Sequence, residues 1–187
     1  MNIGIFGGTF DPIHNGHILL AESFLEQLSL DEVWFLVTPQ NPWKQDSVLS
    51  DDHFRLEMVR KALAGHPGLV ASDYEFRLAK PSYSFQTLRH LRADFPDREF
   101  TLLIGADNWV QFDRWAEPDE ILRHHRIAVY PRRGYHVDVS ALPPNVSFVN
   151  TQLYDISSTA IRRLLHDGGD ASEFLPEEIL PLVKDKY

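Results

Sequence analysis

The chain has 187 residues, the length of one ordinary domain with enough interior for a hydrophobic core. Its composition, 43% hydrophobic and 24% charged, is that of a globular protein and excludes disordered and collagen-like chains. Acidic residues outnumber basic ones by 27 to 18, and the net charge of −9 disfavours nonspecific binding to nucleic acid. Because the chain contains no cysteine, disulfide frameworks, thiolate metal sites and cysteine nucleophiles are all excluded.

The first residues lack the basic segment of a secretory leader, and no apolar run approaches the roughly 18 residues of a membrane span. We therefore expect one cytoplasmic domain over residues 1–187, with neither a membrane nor nucleic acid as a partner. The sequence leaves the oligomeric state open, and a homo-oligomer is compatible with it.

Short apolar runs alternate with amphipathic segments along the chain, which is typical of a parallel sheet flanked by helices. The apolar runs predict strands at residues 2–6, 32–37, 69–71, 99–104, 126–130 and 146–149. The amphipathic segments predict helices at residues 16–28, 52–64, 84–95, 118–124, 158–166 and 176–186. Residues 132–145, which contain a glycine and two prolines, predict an exposed connection. The fold class is therefore α/β.

Residues 3–17, IGIFGGTFDPIHNGH, join a buried strand, a glycine turn and a helix that begins near Asn15. In an open α/β sheet, ligands bind beyond the carboxyl ends of the strands. Gly7 and Gly8 allow the backbone to approach a phosphate, and free N–H groups at the helix start favour an anion. The segment matches neither Gly-x-Gly-x-x-Gly nor a P-loop, which argues against hydride transfer and P-loop chemistry.

His14 and His17 extend the helical stripe of Ala21, Phe24 and Leu28, which is expected to face the sheet. One such histidine alone would be interpreted as a satisfied core residue. Two of them at the positive end of a helix favour another interpretation, in which they donate hydrogen bonds to a transferring phosphoryl group in the crevice.

The GGTFDPIHNGH segment resembles the His-x-Gly-His signature of the nucleotidyltransferase superfamily, and residues 156–162, ISSTAIR, resemble a second motif of these enzymes. Over nearly the whole chain the sequence is similar to the bacterial nicotinate-nucleotide adenylyltransferase family. This resemblance implies a single domain with a Rossmann-like open parallel sheet of the nucleotidyltransferase type and helices on both faces. It also implies adenylyl transfer from ATP to nicotinate mononucleotide in NAD biosynthesis, with release of pyrophosphate and with Mg²⁺ carried by the ATP phosphates.

The resemblance also implies roles for individual residues. The catalytic residues would be His14, His17 and Arg162. The ATP-binding residues would be Gly7, Gly8, Thr9, Phe10, Ile104, Gly105, Asp107, Ser158 and Thr159. The residues that bind nicotinate mononucleotide would be Lys44, Tyr83, Thr87, Trp115 and Arg132, with Trp115 stacked on the pyridine ring. The chain departs from the family pattern at Ser84, which replaces a threonine, and at Arg133, which replaces a proline.

Each of these residues also has an ordinary structural explanation. Ser157 is a good N-cap for a helix whose buried stripe would be Ile161, Leu164 and Leu165, with Arg162 in solvent. Asp107 could cap the following helix, and Trp115 could belong to the core. Lys44 could be solvated like most lysines. His124 and His125 match no ligand spacing and are expected at the surface.

Two alternative functions remain open at this point. The acceptor could be phosphopantetheine or a sugar-alcohol phosphate, although phosphopantetheine enzymes usually have a threonine where this chain has His14. A module that senses nucleotides without turning them over is the other alternative, and pyrophosphate release would separate it from an enzyme. If the acceptor is the pyridine mononucleotide, backbone N–H groups near Thr87, free at a helix start, are expected to favour its carboxylate over a carboxamide.

Overall fold

A computed structural model describes residues 1–42 and 49–187 of the chain. Its strands are β1 (Asn2–Gly8), β2 (Glu32–Val37), β3 (Leu69–Ser72), β4 (Glu99–Gly105), β5 (Arg126–Tyr130) and β6 (Val146–Phe148). They form one sheet in the order β3-β2-β1-β4-β5-β6, in which every neighbouring pair is parallel. The predicted open parallel sheet is confirmed.

Seven α-helices lie in the described part of the chain. They are α1 (Asn15–Gln27), α2 (Asp52–Leu63), α3 (Ser84–Asp94), α4 (Ala106–Trp109), α5 (Pro118–His124), α6 (Ser158–His166) and α7 (Leu180–Lys186). Short 3₁₀ helices occur at Tyr74–Arg77, Phe112–Arg114, Val139–Ala141, Ser172–Phe174 and Glu177–Ile179. None of the helices described is long and apolar enough to cross a membrane.

The structure differs from the sequence-based prediction at three places. Strand β1 continues through Gly7 and Gly8, which we assigned to the turn, because both pair with β2. The last predicted helix begins as a 3₁₀ turn, and α7 forms only from Leu180 onward; Pro181 has no N–H with which to continue a helix begun at residue 176. His125, expected at the surface, is buried.

Two apolar layers cover the two faces of the sheet. Along β2, Val33 and Phe35 face one layer, whereas Trp34 and Leu36 face the other, as the two-residue period of a strand requires. Helices α1, α2 and α7 contribute to the first layer and α3 and α5 to the second. Strands buried on both faces explain why the sequence shows continuous apolar runs rather than alternation.

The order of strands reverses between β1 and β4, the two central neighbours. Chain connections leave β1 toward β2 on one side and β4 toward β5 on the other, so a crevice opens beyond their carboxyl ends. The signature segment follows β1, and the segment containing Gly105 and Asp107 follows β4. The fold therefore brings both motifs to the same edge of the sheet.

Candidate active site

His14 and His17 lie at the start of α1, on the wall of a cavity of about 420 Å³. Their rings stack with centroids 3.6 Å apart, and the His17 ring meets Phe10 edge-on at 5.1 Å. The His14 backbone N–H donates to His17 Nδ1 at 3.2 Å. An accepting Nδ1 places the proton of a neutral His17 on Nε2, so this nitrogen is a hydrogen-bond donor.

Burial keeps both imidazoles neutral. It lowers the pKa of His14 to about 3, assisted by the nearby Arg132 guanidinium. Burial also lowers the pKa of His17 well below its usual range, with His14 and Arg132 adding repulsion to a positive charge. The side chain of His14 is 5% exposed, and its Nδ1 makes no hydrogen bond within the described residues. The pair therefore presents neutral donors beside a cationic guanidinium.

Helix α6 is attached to the signature segment by side chains of the second motif. Ser157 caps the helix by accepting from the Ala160 N–H at 3.1 Å, as the sequence predicts. Ser158 Oγ donates to the Pro12 carbonyl at 2.8 Å, and Arg162 donates to the Asp11 carbonyl at 2.6 Å. These contacts join residues that are 146 and 151 positions apart in the sequence, so the two motifs are in direct contact.

A second cavity of about 550 Å³ adjoins the histidine cavity and shares Asp107 and Tyr130 with it. Its lining includes seven of the remaining candidates: Gly7, Gly8, Tyr83, Thr87, Ile104, Asp107 and Trp115. Trp115 is partly buried, with its ring 5.3 Å from that of Phe112. It therefore packs against the hydrophobic core and also lines the cavity. The core interpretation holds in part, and the stacking of Trp115 on a pyridine ring stays a prediction.

Asp107 and Arg132 meet at the boundary between the two cavities. Arg132 Nε lies 3.6 Å from Asp107 Oδ1, and Arg132 also donates to the Tyr130 hydroxyl at 3.4 Å. A Cβ at Gly105 would lie 2.3 Å from Asp107 Oδ1, so only glycine lets that carboxylate fold back here. Asp107 lies within α4, and the N-cap of this helix is Gly105, so Asp107 does not occupy the N-cap position. Arg132, assigned to the mononucleotide by resemblance, lines the histidine cavity rather than the one containing Trp115.

Not every candidate lies on a cavity wall. Those outside both linings are Thr9, Phe10, Gly105, Ser158, Thr159 and Arg162. Phe10 supports the site from behind: its backbone is left-handed with φ of 48°, and its ring lies against Gly8, where a Cβ would come within 2.9 Å. Lys44 lies outside the described residues.

The free N–H groups expected near Thr87 do not include the N–H of Thr87 itself. The N–H groups of Gln86 and Thr87 both donate to the Tyr83 carbonyl, because Tyr83 is the N-cap of α3. The N–H groups that precede the first intrahelical bond belong to Ser84 and Phe85, three and two residues before Thr87. The Thr87 hydroxyl is also engaged, as it lies 2.8 Å from Glu75 Oε1.

Three residues that the sequence analysis did not select hold the site together. Arg55 is fully buried and donates to the carbonyls of Thr9 at 2.5 Å and Thr38 at 3.0 Å. Glu75 is buried against the Trp115 cavity. The Tyr187 hydroxyl contacts the carboxylate of Asp11 in the signature segment. Arg55 occupies a position in an amphipathic helix that gives no sequence signal, and Tyr187 is 176 residues from its partner.

Comparison with known proteins agrees with this geometry. The cytidylyltransferase-like family model matches residues 5–164. A probable nicotinate-nucleotide adenylyltransferase of Bacteroides fragilis is 49% identical over 172 residues, covering 92% of this chain and 86% of the relative. Its counterpart from Bacteroides thetaiotaomicron is 42% identical over 185 residues, covering 99% and 92%.

Solved structures show the same fold. Plasmodium falciparum nicotinic acid mononucleotide adenylyltransferase complexed with NaAD has a TM-score of 0.81 at 21% identity, covering 98% of this chain and 93% of that chain. The crystal structure of a putative nicotinate-nucleotide adenylyltransferase from Vibrio parahaemolyticus has a TM-score of 0.71 at 22% identity, covering 98% of this chain and 96% of that chain. The chain belongs to the nicotinate-nucleotide adenylyltransferase family of nucleotidyltransferases.

Proposed function

We propose that the protein transfers the adenylyl group of ATP to nicotinate mononucleotide, giving nicotinate adenine dinucleotide and pyrophosphate. The observation that carries this proposal is the junction of the two cavities at the β1 and β4 ends, where neutral histidine donors and an arginine lie beside a separate pocket containing an aromatic ring. Two nucleotides that react with each other need two adjoining pockets with phosphate-binding groups between them.

The chemistry requires no nucleophile from the protein. A phosphate oxygen of the mononucleotide attacks the α-phosphorus of ATP in line, the bond to the bridging oxygen breaks, and pyrophosphate leaves. The protein contributes by holding the two nucleotides in line and by dispersing the negative charge that grows on the phosphoryl oxygens. A chain without cysteine is well suited to this reaction, because the substrate supplies the attacking group.

We assign His17 and Arg162 to charge dispersal at the α-phosphoryl group, with His14 beside them. The Nε2–H of His17 is left as the donor by the bond that its Nδ1 accepts. Arg162 donates one N–H to the Asp11 carbonyl, which fixes the guanidinium while other N–H donors remain for phosphate. A neutral His17 donates a hydrogen bond without first having to be protonated.

The ATP side would consist of the glycines after β1, the β4 end and the α6 start. Its members are Gly7, Gly8, Thr9, Phe10, Ile104, Gly105, Asp107, Ser158 and Thr159. The mononucleotide side would contain Tyr83, Thr87 and Trp115, together with Lys44. Arg132 lines the same cavity as His14 and His17. We propose that it binds a phosphate near the reacting centre, because a guanidinium there offsets phosphate charge.

Mg²⁺ would enter with the triphosphate of ATP. The described residues contain no group of three or more histidine, aspartate or glutamate side chains that could hold a metal ion, whereas Mg²⁺ commonly keeps water and phosphate ligands. The ion would neutralise phosphate charge during binding. We propose further that residues 1–187 act as one nucleotidyltransferase domain on small-molecule substrates in the cytoplasm.

Pyrophosphate release tests the proposal. The protein is incubated with ATP, Mg²⁺ and, in separate reactions, nicotinate mononucleotide, nicotinamide mononucleotide, phosphopantetheine and a sugar-alcohol phosphate. We expect release that depends on nicotinate mononucleotide and is matched by dinucleotide formation. Release with another acceptor alone would support a different transferase, and ATP binding without release would support a sensing module.

A further inference from the structure

A buried acid, Glu75, lies on the wall of the Trp115 cavity, where the exposed Arg114 is the only cation among the described lining residues. It belongs to the 3₁₀ helix after β3 and is 6% exposed. Within the described residues it forms no ion pair, and its Oε2 is buried without a hydrogen bond of normal geometry. Its Oε1 lies 2.8 Å from the Thr87 hydroxyl. A charged carboxylate is costly in such a place.

The Thr87 hydroxyl has one proton and two neighbouring acceptors, Glu75 Oε1 at 2.8 Å and the Tyr83 carbonyl at 3.3 Å. If Glu75 is ionised, Thr87 donates to it and can offer the cavity only lone pairs. If Glu75 is protonated, its O–H donates to Thr87 Oγ1, and the Thr87 proton is left for the Tyr83 carbonyl at 3.3 Å or for a stronger acceptor in the cavity, such as a carboxylate. The proton on Glu75 therefore decides whether Thr87 can act as a donor toward the cavity.

The surroundings of Glu75 favour the protonated form. Burial raises the pKa of Glu75, and the hydroxyls of Thr87, Thr38 and Ser82 lower it by less. The nearest cation on its own helix, Arg77, is exposed and paired with Asp94. Of the other acids, Asp107 lies on the same cavity and is paired with Arg132.

We propose that Glu75, in its protonated form, is a positioning residue for acceptor selection: it donates to Thr87 and thereby turns the Thr87 hydroxyl toward the acceptor's carboxylate as a donor. This inference rests on the proposed function and extends it, since it names what reads the substituent of the pyridine ring. A carboxylate accepts the Thr87 hydrogen bond with charge assistance. A carboxamide oxygen also accepts it, but without a full charge, so the acid is preferred.

The experiment compares kcat/KM for nicotinate and nicotinamide mononucleotides in four proteins. Thr87→Val removes the donor with little change in shape, and we expect the acid-to-amide ratio to fall roughly tenfold or more. Glu75→Gln keeps an uncharged donor at the same position, and we expect it to retain the acid preference. Glu57→Gln is the matched control, because Glu57 is an exposed glutamate on α2, and its ratio should equal that of the unmodified protein.

Infrared spectroscopy at neutral pH reads the proton directly. We expect the unmodified protein to show a protonated carboxyl band that is missing from Glu75→Gln. Absence of this band would overturn the inference, as would an unchanged ratio in Thr87→Val or an amide preference in Glu75→Gln. In these cases normal dinucleotide formation would leave the proposed function standing. If neither the unmodified protein nor any variant used either mononucleotide, both the proposed function and the inference would be contradicted.

Discussion

Replacement of His17 by alanine tests the assigned role of the signature segment in charge dispersal. The substitution removes the Nε2 donor and also the Nδ1 that accepts from the His14 N–H. Loss of one preorganised donor typically lowers the rate by about 10²–10³, equivalent to about 3–4 kcal/mol of transition-state stabilisation. Loss of the Nδ1 acceptor at the helix start should cost a further 0.5–2 kcal/mol or so, but in folding stability.

Steady-state pyrophosphate release separates the two effects. We expect His17→Ala to lower kcat by the stated factor while KM for ATP changes little, because the donor acts on charge that appears during transfer. His17→Asn, whose amide can both accept and donate, should recover part of the rate. His166→Ala is the matched control, since that histidine is exposed at the end of α6. A folded His17→Ala protein with turnover within about threefold of normal would refute the role and leave His17 as a core residue.

Three further predictions concern residues around the site. Arg55→Leu should lower the free energy of unfolding by about 2–5 kcal/mol, measured by urea denaturation, because the carbonyls it serves lose their donors; a loss below about 1 kcal/mol would contradict this. His14 should contribute its full share to the free energy of unfolding above pH 6.5, and this contribution should fall by up to about 1.4 kcal/mol per pH unit as pH drops toward 3, because the unfolded chain binds a proton that buried His14 does not; a pH slope in His14→Gln equal to that of the unmodified protein would argue against the lowered pKa. Tyr187→Phe, which removes the contact with Asp11 beside the Arg162 anchor, should lower kcat by roughly tenfold in the pyrophosphate assay; full activity would show that this contact does not position the site.

The sequence predicts the strands well because most of them are largely apolar runs in a sheet covered on both faces. It also predicts the start of α6, where the Ser157 hydroxyl oxygen accepts a hydrogen bond from the free N–H group of Ala160. The predicted element boundaries are wrong where strand pairing or a missing backbone N–H overrides the local sequence pattern. Strand β1 extends through its glycines because β2 supplies partners, and Pro181 delays α7.

The candidate site is only partly predictable, because some of its residues act through distant partners. The signature marks the histidines, but no local pattern reveals that His17 Nδ1 is occupied or that both rings are neutral, since these depend on burial. The roles of Glu75 and Tyr187 cannot be predicted from their sequence neighbours, because they depend on contacts with Thr87 and Asp11 that the fold creates. Long-range contacts of this kind are set by the tertiary structure rather than by spacing along the chain.

The most direct test of the central claim follows the α-phosphorus of ATP. ATP labelled at that atom, and supplied as a single diastereomer with sulfur in place of one non-bridging α-phosphoryl oxygen, is mixed with Mg²⁺, nicotinate mononucleotide and an excess of protein, so that a single turnover is observed. We expect the label to pass to nicotinate adenine dinucleotide with inversion of configuration at phosphorus, since one in-line displacement joins the two nucleotides. Label retained in ATP, released as AMP, or attached to the protein during turnover would contradict it.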